Sequence, residues 1–290
     1  MRAEAWLLEL DESAAAPPLA PALLDPGVLD ARERERAAAF LRPADRVLYV
    51  AAHVALRTVL AGLLGERPAD LEFRREPCPC CGAPHGRPAL ATARPPLHFS
   101  LSHTRGRVLV ATAPVPVGAD VELRPDPSAV RDLVAVLHPA ERAEVAAAGP
   151  GSRDGAAAFG RIWARKEAYL KGLGTGLGRA AHLDDLSGPA PAPAGWSLYD
   201  LPAGPAHDAA LALCAPAGAA EPPSSTVCRA RTRCRSRRGR YSGRPACPAR
   251  PPDGVRSRGP VHRIPPGPVH RSGRPDATGP RPPAPSTGSG

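Results

Sequence analysis

Three acids and one lysine set the chemistry this sequence could carry. Asp120 and Glu122 stand two apart in VGADVE, and Glu167 and Lys171 stand four apart in FGRIWARKEAYLKGLGTGL. Two apart on a strand, both carboxylates face the same way. Four apart on a helix, the acid and the lysine share one side. Like charges about 4 Å apart repel by about 4 kcal/mol at an effective dielectric near 20, so the strand acids either splay into water or hold a cation. Three carboxylates from two elements can converge on one hard cation, and an all-oxygen donor set favours Mg²⁺. A lysine one turn from the third acid could then reach a phosphate oxygen on the same ion. This is the equipment of phosphoryl transfer, where positioning and charge neutralisation do most of the work. The plainer reading is a solvated acid pair and an exposed Glu–Lys pair worth roughly a few tenths of a kcal/mol.

Groups that could meet an anion lie upstream. Leu97, Phe99 and Leu101 alternate with polar residues as in a half-buried strand, which carries Ser102 and His103 at its end. Arg46 and Arg57 fall on a helix from Pro43 through Leu64, with Leu48, Ala51, Ala55, Val59 and Leu63 on one stripe. Arginines on such a helix ordinarily occupy a solvated face. In EPCPCCGAPHGRPAL, Gly86, Arg87 and Pro88 present a cation on a rigid turn. Cys78, Cys80, Cys81 and His85 of the same loop invite a zinc site. The loop lacks a second CxxC pair and crowds its ligands, a weak match to structural zinc. Glu141 in HPAER lies near a helix start, where the dipole favours a carboxylate and capping alone would explain it.

The elements that must position these groups follow from periodicity. Strands are expected at Ala5–Leu10, Leu71–Arg74, Val108–Ala113, Gly118–Leu123, Trp196–Asp200 and Ala209–Leu213. Helices are expected at Leu29–Leu41, Ser128–Leu137, from Pro139, and from Phe159, where Phe159, Trp163 and Leu170 recur at helical steps. Gly172, Gly174 and Gly176 close that last helix and let the backbone approach a ligand. The mixture is α+β, with a join near Ala113–Val117 and a body complete by about Pro216.

SLSHTRGRVLVA, VGADVE and FGRIWARKEAYLKGLGTGL, in that order and spacing, resemble the surfactin-synthetase-type 4′-phosphopantetheinyl transferase family from about Leu29 to Leu213. The CPCCGAPHGRP loop resembles the variant found in bacterial members. The resemblance implies an α+β fold of two pseudo-symmetric halves, 1–113 on the coenzyme side and 114–217 carrying the metal site, with the site between them. It implies transfer of 4′-phosphopantetheine from coenzyme A to a serine of an acyl or peptidyl carrier protein, with Mg²⁺ and release of adenosine 3′,5′-bisphosphate. By the same resemblance Asp120, Glu122 and Glu167 are metal acids, and Lys171 assists the leaving phosphate. Ser102 and His103 would hold the adenosine 3′-phosphate end, Arg46, Arg57, Arg87 and Pro88 would line the coenzyme site, and Glu141 is the candidate general base. The chain departs from the family at Ala119, where a larger aliphatic residue is usual, at His53, and in having only two lysines, Lys166 and Lys171.

Charge divides the chain. Of 38 basic and 28 acidic residues, residues 222–290 hold 15 arginines and 2 aspartates, a charge of +13 that leaves −3 for residues 1–221. The segment 218–290 is rich in Arg, Pro and Gly and poor in aliphatic residues, so it should be disordered. It reads either as a genuine tail or as a shifted reading frame of a GC-rich gene. An arginine tail could bind nucleic acid through phosphates, and a chain with an altered C-terminus could equally be a disabled transferase. Seven unevenly placed cysteines argue against a disulfide framework. The acidic N-terminus is not a secretory signal, and no apolar run is expected to match a membrane span. A cytoplasmic monomer is the expectation.

Overall fold

The computed structural model describes residues 2–10, 25–91, 96–188, 191–215 and 223–229, all within a unit spanning Met1–Pro245. The Pro/Ala-rich loop at 11–24 and the arginines beyond 229 lie outside the described residues, and with them the disordered-tail and nucleic-acid readings.

Four layers hold the chain together: helix, sheet, sheet, helix. The first sheet runs β4 (His98–Thr104), β5 (Arg107–Ala113), β1 (Glu4–Glu9), β9 (Ser224–Arg229). β4 and β5 form a hairpin about Arg105–Gly106, and β1 pairs antiparallel with β5. The second sheet runs β6 (Val117–Leu123), β8 (His207–Leu213), β7 (Ser197–Leu201), all antiparallel. A two-stranded ribbon, β2 (Phe73–Arg75) with β3 (Pro88–Leu90), carries the cysteine loop between its strands. Alternation sorts the side chains. Ala5, Leu7, Leu109 and Ala111 of the first sheet meet Ala119, Val121, Leu211 and Leu213 of the second. The opposite face of the first sheet, through Val108, Val110 and Phe99, packs on α2 (Pro43–Leu64), and the outer face of the second packs on α5 (Arg153–Leu173).

The helices begin where their sequences supply caps. Asp30 and Glu33 form a reciprocal capping box at α1 (Ala31–Ala38), and Ser152 accepts from Gly155 N at α5. α3 (Pro127–Leu133) is extended by a 3₁₀ turn at Val134–Val136, so the helix expected through Leu137 stops earlier. α4 follows at Pro139–Ala148.

Four expectations are corrected. The buried face of α2 is Ala51, Ala52, Val54, Leu56, Arg57, Leu60 and Ala61, while Leu63 is exposed; a helix apolar nearly all round offers several stripes to a periodicity reading. By length and composition α2 also matches a membrane span; here one face packs on the first sheet. Gly172 does not end α5: it lies inside the helix, and Gly174 caps it in the left-handed region at φ 81°. Finally, Ser224–Arg229 is a strand within the segment expected to be disordered. It pairs in parallel with β1, whose other edge is taken by β5, and so supplies the ladder partners that β1 lacks on that side.

Candidate active site

β6 and α5 approach so closely that a side chain between them has no room. A Cβ on Gly118 would lie 1.9 Å from Ala168 O and 2.3 Å from Gly172 N; one on Gly172 would meet the Trp196 ring at 2.6 Å. The two glycines let the acid-bearing strand lie against the lysine-bearing helix. β4 flanks β6 on its other side. Ser100 Oγ accepts from Ala119 N at 2.9 Å, a side chain standing in for a ladder bond between the sheets. Ser100 and Ser102 are therefore buried, because β6 covers the strand face expected to be open. Ala119, at 0% exposure, packs between the sheets.

Asp120 is buried where these elements meet. Its Oδ1 accepts from Ser102 Oγ at 2.8 Å and from Lys171 Nζ at 2.5 Å, and Lys171 Nζ also reaches Ser102 Oγ at 3.0 Å. Its Oδ2 is buried with no hydrogen-bond partner. An unsatisfied carboxylate oxygen in the interior costs of the order of 1–3 kcal/mol, and more when charged. Glu122 and Glu167 crowd the same place. Burial, then the Asp120 charge, push the Glu122 carboxyl up to about 7, with Lys171 opposing and Glu167 adding to the rise. Burial and Asp120 likewise raise Glu167. The three carboxylates are not drawn within 4.8 Å of one another, yet an all-oxygen acid set with a buried free oxygen on Asp120 is the donor chemistry that fits Mg²⁺.

Lys171 also opens onto a cleft of about 640 Å³. Its walls include Arg32 and Arg36 of α1, Tyr49 and His53 of α2, Arg74 and Arg75 of β2, Arg87 and Pro88, His103, and Gly174. His53 stacks beneath Tyr49 at 3.9 Å between ring centroids. His103 is pushed down to about 4 by burial, then by His53 and Lys171, so near neutral pH it is an uncharged imidazole that donates from one nitrogen. Arg87 is partly committed: it grips Glu76 through Nε at 3.0 Å and Nη2 at 2.8 Å, and donates to Gly172 O at 2.8 Å. It thereby ties the cysteine loop to the end of α5.

Other assigned residues stand elsewhere. Arg57 is fully buried, donating to Glu33 at 2.7 Å, Asp30 at 3.0 Å and the carbonyls of Pro68 and Leu71, with its guanidinium over Phe73. It binds α2 to its neighbours and has no face left for a phosphate. Arg46 sits exposed on the first turns of α2, outside the cleft wall. Ser102 holds Asp120 and is not part of the cleft wall. Glu141 is wholly buried: Oε1 pairs with Lys166 at 2.8 Å and accepts from Leu186 N at 2.7 Å, and Oε2 caps His138 N at 2.9 Å. Both oxygens are engaged, so it is not placed to act as a base. Sequence reasoning passed over Arg32, Arg36, Arg74 and Arg75; the four-residue spacing of the first two put them on one helix face and was the available signal.

Sequence comparison gives the family. Residues 116–209, which contain Asp120, Glu122, Glu167 and Lys171, match the model of the 4′-phosphopantetheinyl transferase superfamily. The chain is 32% identical over 177 residues to a phosphopantetheinyl transferase of Thraustochytrium sp., covering 55% of this chain and 59% of that protein. It is 30% identical over 182 residues to the 4′-phosphopantetheinyl transferase HetI of Nostoc sp., covering 60% and 73%. It is 26% identical over 149 residues to a 4′-phosphopantetheinyl transferase of Bacillus subtilis, covering 51% and 62%. The matched stretches thus span 59% and 62% of two of these relatives' own lengths. The chain belongs to the 4′-phosphopantetheinyl transferase superfamily.

Proposed function

We propose that this chain is a surfactin-synthetase-type transferase that moves 4′-phosphopantetheine from coenzyme A to a serine of an apo acyl or peptidyl carrier protein. The observation that carries this reading is the free buried oxygen of Asp120, whose other oxygen pairs with Lys171, a residue of the cleft wall. In the reaction the carrier serine oxygen bonds to the phosphorus bearing the pantetheine arm. The bridging P–O bond of the pyrophosphate breaks, and adenosine 3′,5′-bisphosphate leaves with the electron pair. Asp120, Glu122 and Glu167 would hold the magnesium ion, which supplies charge neutralisation at the pyrophosphate.

The chain's own groups do the rest. The ammonium of Lys171, one-third exposed and facing the cleft, stabilises charge on the departing phosphate. His103, Arg87 and Pro88, joined by Arg36 and Arg74, take the coenzyme, with guanidinium groups suited to bidentate phosphate contacts. Glu141, with both oxygens engaged, is not free to take the serine proton. The helix–sheet–sheet–helix layering, with α2 and α5 on opposite outer faces, supports reading the body as two pseudo-symmetric halves joined near residue 113. A cytoplasmic, monomeric enzyme fits this role.

The test is incubation of the full chain with coenzyme A, Mg²⁺ and apo carriers from fatty-acid, polyketide and peptide synthases, followed by intact-mass measurement. A gain equal to one phosphopantetheine on at least one carrier is expected. No gain on any, while an active transferase modifies all three, would reject the reading.

A further inference from the structure

The β2–β3 loop contains a second donor set that the acid site does not use. Among the described residues, one trio of ligand-bearing side chains has all its ligand atoms within 4.8 Å of one another: Cys78, Cys81 and His85. Cys81 Sγ and His85 Nε2 are 3.0 Å apart. A tetrahedral zinc site with two sulfurs and one imidazole nitrogen needs donor separations of about 3.5–3.8 Å, so small side-chain shifts would bring the trio to coordination distance.

The backbone is already shaped for it. Cys78–Cys81–Gly82 has CxxCG spacing. Gly82 N donates to Cys78 O at 2.8 Å with φ 75°, which closes the turn, and Cys78 N donates to Ala83 O at 2.8 Å. A hydrogen-bonded turn that brings two sulfurs and an imidazole to one point is a metal knuckle. Cys80 shares the turn, but its sulfur is not one of the three that converge.

We propose that Cys78, Cys81 and His85 bind one zinc ion, with water in the fourth position. Two thiolates and an imidazole select a soft or borderline d¹⁰ cation over Mg²⁺, so this site and the acid site sort different metals. Binding displaces the thiol protons of Cys78 and Cys81. The ion's role is to fix the strap: Gly86 N donates to Glu76 O and Glu76 N to Arg87 O, so the residues after His85 run directly into the cleft wall formed by Arg87 and Pro88.

The full chain, purified without a metal-affinity tag, should contain about one zinc per molecule by elemental analysis. Stripping with chelator and adding Co²⁺ should give intense ligand-field bands of a tetrahedral site and near-ultraviolet thiolate-to-cobalt charge transfer. Cys81→Ser and His85→Ala should each lose most of the bound metal. Cys80→Ser, and a chain with Cys228, Cys234 and Cys247 all changed to serine, should keep it. Because substitutions in the turn could unfold it, wild-type protein offers a second readout. Chelation should raise amide hydrogen exchange across residues 76–88 and leave α5 unchanged, and zinc should restore protection. Octahedral cobalt spectra, metal lost with Cys80→Ser but kept with Cys81→Ser, or exchange indifferent to zinc would each overturn the proposal.

Discussion

Glu141 and Asp120 are both buried acids paired with a lysine of the same helix, at 2.8 Å to Lys166 and 2.5 Å to Lys171. Their surroundings differ. Glu141 has both oxygens occupied, and Lys166 uses its remaining donors on Ala181 O at 2.6 Å and Asp184 O at 2.7 Å. Asp120 has one oxygen shared by Ser102 and Lys171 and the other bare, with two more acids pressing on it. A closed pair holds α4, α5 and the 181–186 segment together and has no valence left for a ligand. The open pair carries unspent acceptor capacity and charge, which is what a cation needs. Completeness of hydrogen bonding, more than burial or charge, separates the closed acid from the open one.

Breaking the closed pair should give the largest effect on stability. Glu141→Ala strands the Lys166 ammonium in the interior and should cost about 3–5 kcal/mol, read from urea unfolding. A loss below about 1 kcal/mol would mean that the pair is not buried as described.

Two neighbours of the open pair, Glu122 and His103, should instead show themselves through pH. Glu122, at about 7 against an ordinary 4.5, binds its proton more tightly when folded. It therefore contributes stability at low pH that is lost as pH rises from about 4.5 through 7. His103, at about 4 against 6.5, does the opposite: its contribution is present above about 6.5 and lost as pH falls toward 4. The two nearly offset each other in the wild-type chain. Glu122→Gln should expose a melting temperature that rises with pH over this window, and His103→Asn one that falls. Parallel slopes in the two variants would contradict the electrostatics.

Arg46 calibrates the cleft. Exposed and away from its wall, Arg46→Ala should change stability by less than about 0.5 kcal/mol and leave coenzyme affinity unchanged in a titration, whereas Arg87→Ala should weaken it.

Much of this was legible in the sequence. Alternation and helical spacing located most of the strands and helices, and the spacing within each pair, Asp120 with Glu122 and Glu167 with Lys171, put each pair on one side of its element because i,i+2 and i,i+4 geometry is local. What failed was whatever depended on packing. Arg57 lies on a helix apolar enough that nothing in its neighbours revealed a buried partner set 24–27 residues upstream at Asp30 and Glu33. Glu141 read as a cap from its place at a helix start, as the capping box shows, and as a base only through the family resemblance; the approach of Lys166 and Leu186 N, which takes up its other oxygen, was not legible. The strand at 224–229 is set by the free edge of β1, more than 200 residues away in sequence, and a composition reading has no access to that edge. The cysteine loop was a weak motif by count, yet a single turn brings three of its donors together.

The most direct test compares Asp120→Asn with Glu141→Gln, each assayed for carrier modification at saturating Mg²⁺ and normalised to the folded fraction measured on the same sample. Asp120→Asn should stay folded, within about 1 kcal/mol of wild type, and lose transfer by at least about a hundredfold. Glu141→Gln, per folded molecule, should keep near wild-type transfer. Normal transfer by Asp120→Asn, or its loss in folded Glu141→Gln, would contradict the assignment of the open acid as the reactive one.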